Sequence, residues 1–341
     1  MRHRVGLVGA GGAGTKRAAA VTACDRSQLV KVCDLNSQEA LSIAIQADAD
    51  VVDSWEDVVN DNSIDIVIVS TTHDQLSLIG CAAAAAGKHI LCEKPLGRNP
   101  IEVQDLVMAV EANGVCLRAG YNHRFHPSIM AMHQAVEDGR LGNLDFIRGH
   151  YGHGGRLGYD REWRGDAEKA GGGELLDQGA HLIDLSLWLL GDFESVTGFT
   201  ERRCWDIDPL EDNAFGLFRT AAGQVASIHA SWTQWKNLFS LEVFGSQGYA
   251  VATGLGGSYG PESIRIGCRR VGGGPPEENK TIFDGNDCSW DLEWKSLLSE
   301  IDGKITMGAN GESGLNTMRW IYRLYRAAST HRVVLTDEPM S

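Results

Sequence analysis

At 341 residues the chain has room for two domains, each with a sizeable core. Its formal net charge of −14 argues against nucleic acid, which needs a basic surface, and no apolar stretch reaches the length of a membrane span. The eight cysteines, at 24, 33, 81, 92, 116, 204, 268 and 288, form no CxxC pair and sit mostly in apolar runs, as reduced thiols of a cytoplasmic protein do.

In chain order, Arg4 to Gly9 predicts a short buried strand. Gly9, Ala10, Gly11, Gly12, Ala13 and Gly14 follow, and then helix formers to Ala23. This is GxGxxG in its strand-turn-helix context, where the first glycine makes the turn, the second admits a pyrophosphate and the third lets helix pack on strand. Arg2 to Arg4 ahead of this apolar stretch imitate a signal peptide, but the strand and phosphate turn account for it. The next strand, Leu29 to Asp34, ends in an acid twenty positions after Gly14, placed to accept both hydroxyls of an adenosine ribose. Asp34 favours NAD over NADP, because a 2′-phosphate meets a like charge there.

Asp65 to Ser70, Lys88 to Cys92 and Val115 to Gly120 continue as buried strands separated by helices, among them Gln75 to Ala86 and one capped by Asn99 with Pro100 at its first position. The order predicts a doubly wound parallel sheet over residues 1–121. Beyond the helix starting near Pro127, the strand-like Leu144 to Gly149 is followed by alternating segments between Val196 and Thr253, including Asn213 to Arg219, Gln224 to Trp232 and Phe239 to Phe244. Strands without intervening helices predict an open, mostly antiparallel sheet in an α+β domain, 122–341. Gly254 to Gly260 and Gly272 to Asn279 read as loops, and helices near Trp290 to Ile301 and Gly314 to Ala328 close the chain.

The richest segment is Gly171, Gly172, Gly173, then Asp177, Gln178, Gly179, Ala180, His181 and Asp184. It predicts one apolar helix from Leu175 to Leu190, stopped by Gly191, with Asp177, His181 and Asp184 on one face. A buried imidazole held by a carboxylate has the tunable pKa of a general base near neutral pH, although a core histidine bonded to its own helix fits the same pattern. Glu93, Lys94 and Pro95 follow a strand at the carboxyl edge of the first sheet, where ligands bind in such folds; the strand end aims Lys94 at the crevice between cofactor and second domain. His150 to Gly158 holds two histidines and four glycines without a Cys or carboxylate at ligand spacing, so a substrate loop is expected there and no metal.

The glycine turn at 9–14, Glu93-Lys94-Pro95, and GGGxLxDxGxHxxD from Gly171 to Asp184 closely resemble the Gfo/Idh/MocA dehydrogenases, in order and spacing, over nearly the whole chain. Further matches are Gly87-Lys88-His89, Asn122 with Arg124-Phe125, and Trp163-Arg164. The family's TPNxxH is replaced here by Thr71, Thr72, His73, Asp74, Gln75 and Leu76.

The resemblance implies an NAD(P) domain and a sheet domain carrying substrate and homo-oligomer contacts. Cofactor contacts then fall to Gly9, Gly11, Gly12, Ala13, Gly14, Asp34, Ser70, Thr71, Thr72, His73, Glu93, Lys94, Asn122, Trp163 and Arg164. Lys94, Asp177 and His181 carry the catalysis. Tyr121, Arg124, His153, Tyr159 and Trp235 join them at a substrate expected to be a sugar, aminosugar or cyclitol with a secondary ring alcohol. Either His181 or Lys94 takes the hydroxyl proton. Two alternatives remain: a glycosidase that uses NAD transiently for oxidation and elimination, and an NAD-sensing regulator without turnover.

Overall fold

The computed structural model describes residues 2–338, which form two compact units. The first comprises Met1–Asn122, Glu168–Gly171 and Ser289–Asn316; the second comprises His123–Ala167, Gly172–Cys288 and Thr317–Ser341. A single boundary at 121 assigns residues 289–316 to the other unit. Their sequence says only that they are helical, whereas membership is decided by packing. Among the described residues no helix is long and apolar enough to cross a membrane.

The first unit holds six strands, β1 (His3–Val8), β2 (Ser27–Cys33), β3 (Asp50–Val51), β4 (Ile66–Val69), β5 (His89–Glu93) and β6 (Leu117–Gly120). All pair in parallel, in the order β3-β2-β1-β4-β5-β6, which is the doubly wound dinucleotide order. Strands covered by helices on both faces need apolar side chains throughout, and β4 is buried at every position. Ser289–Ile301 joins this unit through Trp294, Leu297 and Leu298, which pack in one core with Val5, Leu7, Val21 and Leu29. Arg17, fully enclosed, bridges Glu93 at 2.6 Å and Glu293 at 2.5 Å. Burial works against the Arg17 charge, but the two carboxylates outweigh it and hold the guanidinium pKa above its ordinary value.

The second unit contains nine strands, β7 (Leu144–Gly152), β8 (Ser195–Glu201), β9 (Asn213–Arg219), β10 (Val225–Ser231), β11 (Leu238–Gly245), β12 (Gly248–Thr253), β13 (Glu262–Cys268), β14 (Glu277–Phe283) and β15 (Val334–Leu335). Their order is β14-β13-β12-β11-β7-β10-β9-β8-β15; β7 and β10 run parallel and every other neighbour is antiparallel. The helix Ala180–Leu190 lies on one face, close enough that a Cβ on Gly149 would sit 3.0 Å from Leu182. The other face carries exposed Phe199, Phe215 and Leu217.

Two local expectations change. Glu277 to Asn279, expected in a loop, begin edge strand β14. Its side chains are nearly all exposed, so no apolar alternation marks it. The helix expected from Leu175 opens instead with a π-turn, Leu175–Gly179, before the α-helix Ala180–Leu190. One extra residue per turn leaves no mark on a run of apolar residues, and such turns concentrate at functional sites.

Candidate active site

In the first unit the first and third glycines of the turn sit as their spacing predicts. Gly9 has φ +95°, and a Cβ there would lie 2.4 Å from the Ser70 carbonyl oxygen; a Cβ on Gly14 would lie 2.0 Å from the Gly9 oxygen. By contrast, Cβ atoms on Gly11 and Gly12 would meet nothing within 4 Å. The helix Gly12–Thr22 begins there with no side-chain cap and no acid in its first turn, so its leading N–H groups and dipole are left for an anion. Asp34 stands over this turn, its Oδ2 accepting from the Ala10 amide at 2.5 Å and its Oδ1 from Asn36 at 2.7 Å. The Ser70 hydroxyl donates to the Gly9 carbonyl at 2.7 Å. These features fit a dinucleotide, with phosphates on open glycine backbone and a carboxylate beside the ribose position.

Several expected cofactor side chains have structural partners. Thr71 donates to the Thr72 carbonyl, and Thr72 to Asp74. His73 is buried with Nδ1 2.8 Å from the Ala170 carbonyl, and the Asn122 amide donates to Ser289 at 2.8 Å. The Glu93 carboxylate meets Arg17, which makes it a brace for the strand end that bears half-buried Lys94. Tyr121 is 0% exposed.

In the second unit, Asp177 and His181 are both buried, on the π-turn and the helix that continues it. Arg164 Nε donates to Asp177 Oδ2 at 2.7 Å, and its guanidinium lies 4.4 Å from the Trp163 ring centre. Burial opposes the Arg164 charge, but Asp177 and Tyr159 outweigh it and hold its pKa above the ordinary value. The His181 imidazole stacks on His123, with centroids 3.7 Å apart and planes 25° apart, and Tyr151 stands edge-on at 6.0 Å. Burial, reinforced by Tyr259, pushes the Tyr151 phenol well up; Tyr259, bonded to Tyr151 and Gln178, is pushed up to about 12.

His153 accepts from the Gly155 amide at 2.8 Å and lies 5.4 Å from Tyr159, which packs edge-on against Trp232 at 5.0 Å. Burial drives the His153 pKa down and the Tyr159 pKa up, so both stay neutral at pH 7. This pairing of neutral aromatic and polar groups suits a hydroxylated ligand. Trp235 is 66% exposed at φ +55°.

Residues 3–121 match the model described as an oxidoreductase family with an NAD-binding Rossmann fold, and residues 129–251 match the Gfo/Idh/MocA C-terminal domain. The chain belongs to the Gfo/Idh/MocA family. It is 29% identical to inositol 2-dehydrogenase of Rhizobium meliloti (strain 1021), over 98% of this chain and 99% of that one. Levoglucosan dehydrogenase of Pseudarthrobacter phenanthrenivorans is 28% identical over 58% of this chain, a match spanning 57% of that protein. A solved levoglucosan dehydrogenase complex with NADH and L-sorbose shares the fold, with TM-score 0.87, 21% identity and 98% of each chain covered.

Within this Gfo/Idh/MocA chain, Arg124, expected at the substrate, forms a buried two-pronged pair with Asp184, at 2.9 and 2.6 Å, under Trp188. The triple glycine is likewise architectural. A Cβ on Gly173 would lie 1.9 Å from the Glu211 carbonyl, and the Glu211 carboxylate accepts from the Gly173 and Leu175 amides and from Tyr325. Sequence reasoning assigned no role to Glu211, Tyr325, His123, Tyr151, Gln178 or Tyr259. His123, between Asn122 and Arg124, and Gln178, inside the Gly171 to Asp184 motif, stood next to recognised matches.

Proposed function

We propose that this chain is an NAD-dependent dehydrogenase that oxidises one ring CHOH of a sugar, aminosugar or cyclitol to the ketone, or runs the reverse reduction. The observation that carries the reading is a buried imidazole, His181, one helical turn after buried Asp177 and edge-on to a neutral tyrosine, Tyr151, in a chain that also holds a dinucleotide cradle. When bound, the nicotinamide supplies the hydride acceptor or donor. Gly11 to Gly14 hold the phosphates and Asp34 the ribose. His181 takes the hydroxyl proton, Asp177 supports its charged form, and the Lys94 ammonium stabilises developing negative charge on the substrate oxygen. Tyr159, His153 and Trp235 contact the substrate, with Trp163 and Arg164 at the cofactor side.

The test is a panel of free cyclitols, hexoses and aminosugars incubated with NAD or NADP, followed by NADH or NADPH absorbance. NAD-dependent turnover of at least one ring alcohol is expected, with higher kcat/KM for NAD because Asp34 repels a 2′-phosphate. Equal or better kcat/KM with NADP would remove that role from Asp34. Ketone-free release of a sugar without NADH would overturn the dehydrogenase reading.

The exposed Phe199, Phe215 and Leu217 on one sheet face support a homo-oligomer through this sheet, since scattered apolar exposure is ordinary but a shared face is not. Light scattering should give at least twice the monomer mass. Phe215→Glu with Leu217→Glu should return the monomer; a monomeric parent protein would refute the interface.

A further inference from the structure

We infer that His123 is a positioning residue for His181, the two stacked imidazoles acting as one unit that takes up at most one proton at a time near neutral pH, the one His181 receives from the substrate hydroxyl. The inference rests on the reading of His181 as the proton acceptor. The rings overlap face to face at 3.7 Å and 25°, and both are buried. His123 is itself fixed from other sides, by His126 edge-on at 5.3 Å, Tyr151 at 5.0 Å and Phe239 at 5.7 Å. It forms a rigid floor under the His181 ring, so that rotation of His181 about its side-chain bonds is resisted by flat contact.

The chemistry follows from the second ring being an imidazole. When one ring is protonated, the π-face of its neutral neighbour favours the cation. A second proton places two like charges at stacking distance, so it binds only at distinctly lower pH. Arg164 pairs with Asp177, Arg124 pairs with Asp184, and His126 has Glu262 at 3.1 Å and Asp287 at 4.0 Å. Glu174, at the head of the π-turn, acts electrostatically on Tyr151 and Tyr259, both of which burial holds neutral. At 3.7 Å, protonation of both rings together is disfavoured by like-charge repulsion. The hydroxyl proton passes to the His181 ring nitrogen, and His123 accepts no proton in that step.

Histidine side-chain NMR on the 15N-labelled full chain tests this without turnover. In the parent protein the His123 and His181 ring signals should each titrate in two linked steps. In His123→Phe, which keeps the flat floor, His181 should titrate in one. A single-step His181 curve that is the same in both proteins would overturn the coupling. Where the panel yields a substrate, His123→Ala should lower kcat by about 10- to 100-fold through misplacement of the ring, with KM for NAD unchanged. His123→Phe should restore most of that loss while moving the acid limb of the kcat–pH profile. Unchanged kcat in His123→Ala would overturn the positioning role. Absence of turnover on every alcohol would count against the proposed function and leave the titration result standing.

Discussion

His181→Ala is expected to lose about 10²- to 10⁴-fold in kcat, the range for a positioned proton acceptor, while still binding NADH with parental affinity by calorimetry. Lys94→Ala should lose a comparable factor by removing charge stabilisation of the substrate oxygen. If both residues serve one step, the double variant should be scarcely worse than the poorer single variant, because groups that act together are not additive. An active His181→Ala enzyme would make His181 a core histidine. Asp177→Asn should cost less turnover than His181→Ala, but it also weakens the buried partner of Arg164. A fall in melting temperature is therefore expected alongside.

The second large effect concerns stability. Arg124 and Asp184 are both buried, and Arg124→Leu leaves a carboxylate enclosed without its cation. The expected loss is about 3–5 kcal/mol in denaturant unfolding, and the double variant with Asp184→Leu should recover most of it. Burial already raises the Asp184 pKa above the ordinary carboxylate range, with Arg124 pulling it back only in part. Without Arg124 it rises further. A carboxyl whose folded pKa exceeds its unfolded pKa near 3.9 favours the fold at low pH and loses that contribution as pH rises through the folded value. The Arg124→Leu deficit should therefore be smaller in acid than at pH 8. A folded, fully stable Arg124→Leu protein with raised substrate KM would instead restore Arg124 to the substrate.

These variants also mark what the sequence makes legible. Glycines 9 to 14 and Asp34 lie on the ends of neighbouring strands β1 and β2, at a fixed spacing of about twenty residues, so that spacing marks the candidate cradle and its carboxylate. Asp177 and His181 stand out because charge inside an apolar helix is costly unless it is partnered. Partners from distant chain segments leave no local pattern. Arg124 carries the same charge whether it faces a ligand or Asp184, and nothing near His123 announces the ring beneath which it lies. Likewise Glu211 is one acid among many until Gly173, Leu175 and Tyr325 converge on it.

The helix Ser289–Ile301 has a consequence for synthesis. Trp294, Leu297 and Leu298 cover the core of the first unit, and Glu293 supplies the second carboxylate around Arg17. When the ribosome has delivered Asn122, every strand of that sheet exists, yet its apolar flank and the Arg17 site are still open. About 170 further residues must emerge first, which takes roughly 9 to 34 s at ordinary elongation rates. Through that interval the apolar flank of the nascent dinucleotide domain stays exposed, and it closes only once most of the second unit, residues 123–167 and 172–288, has been translated.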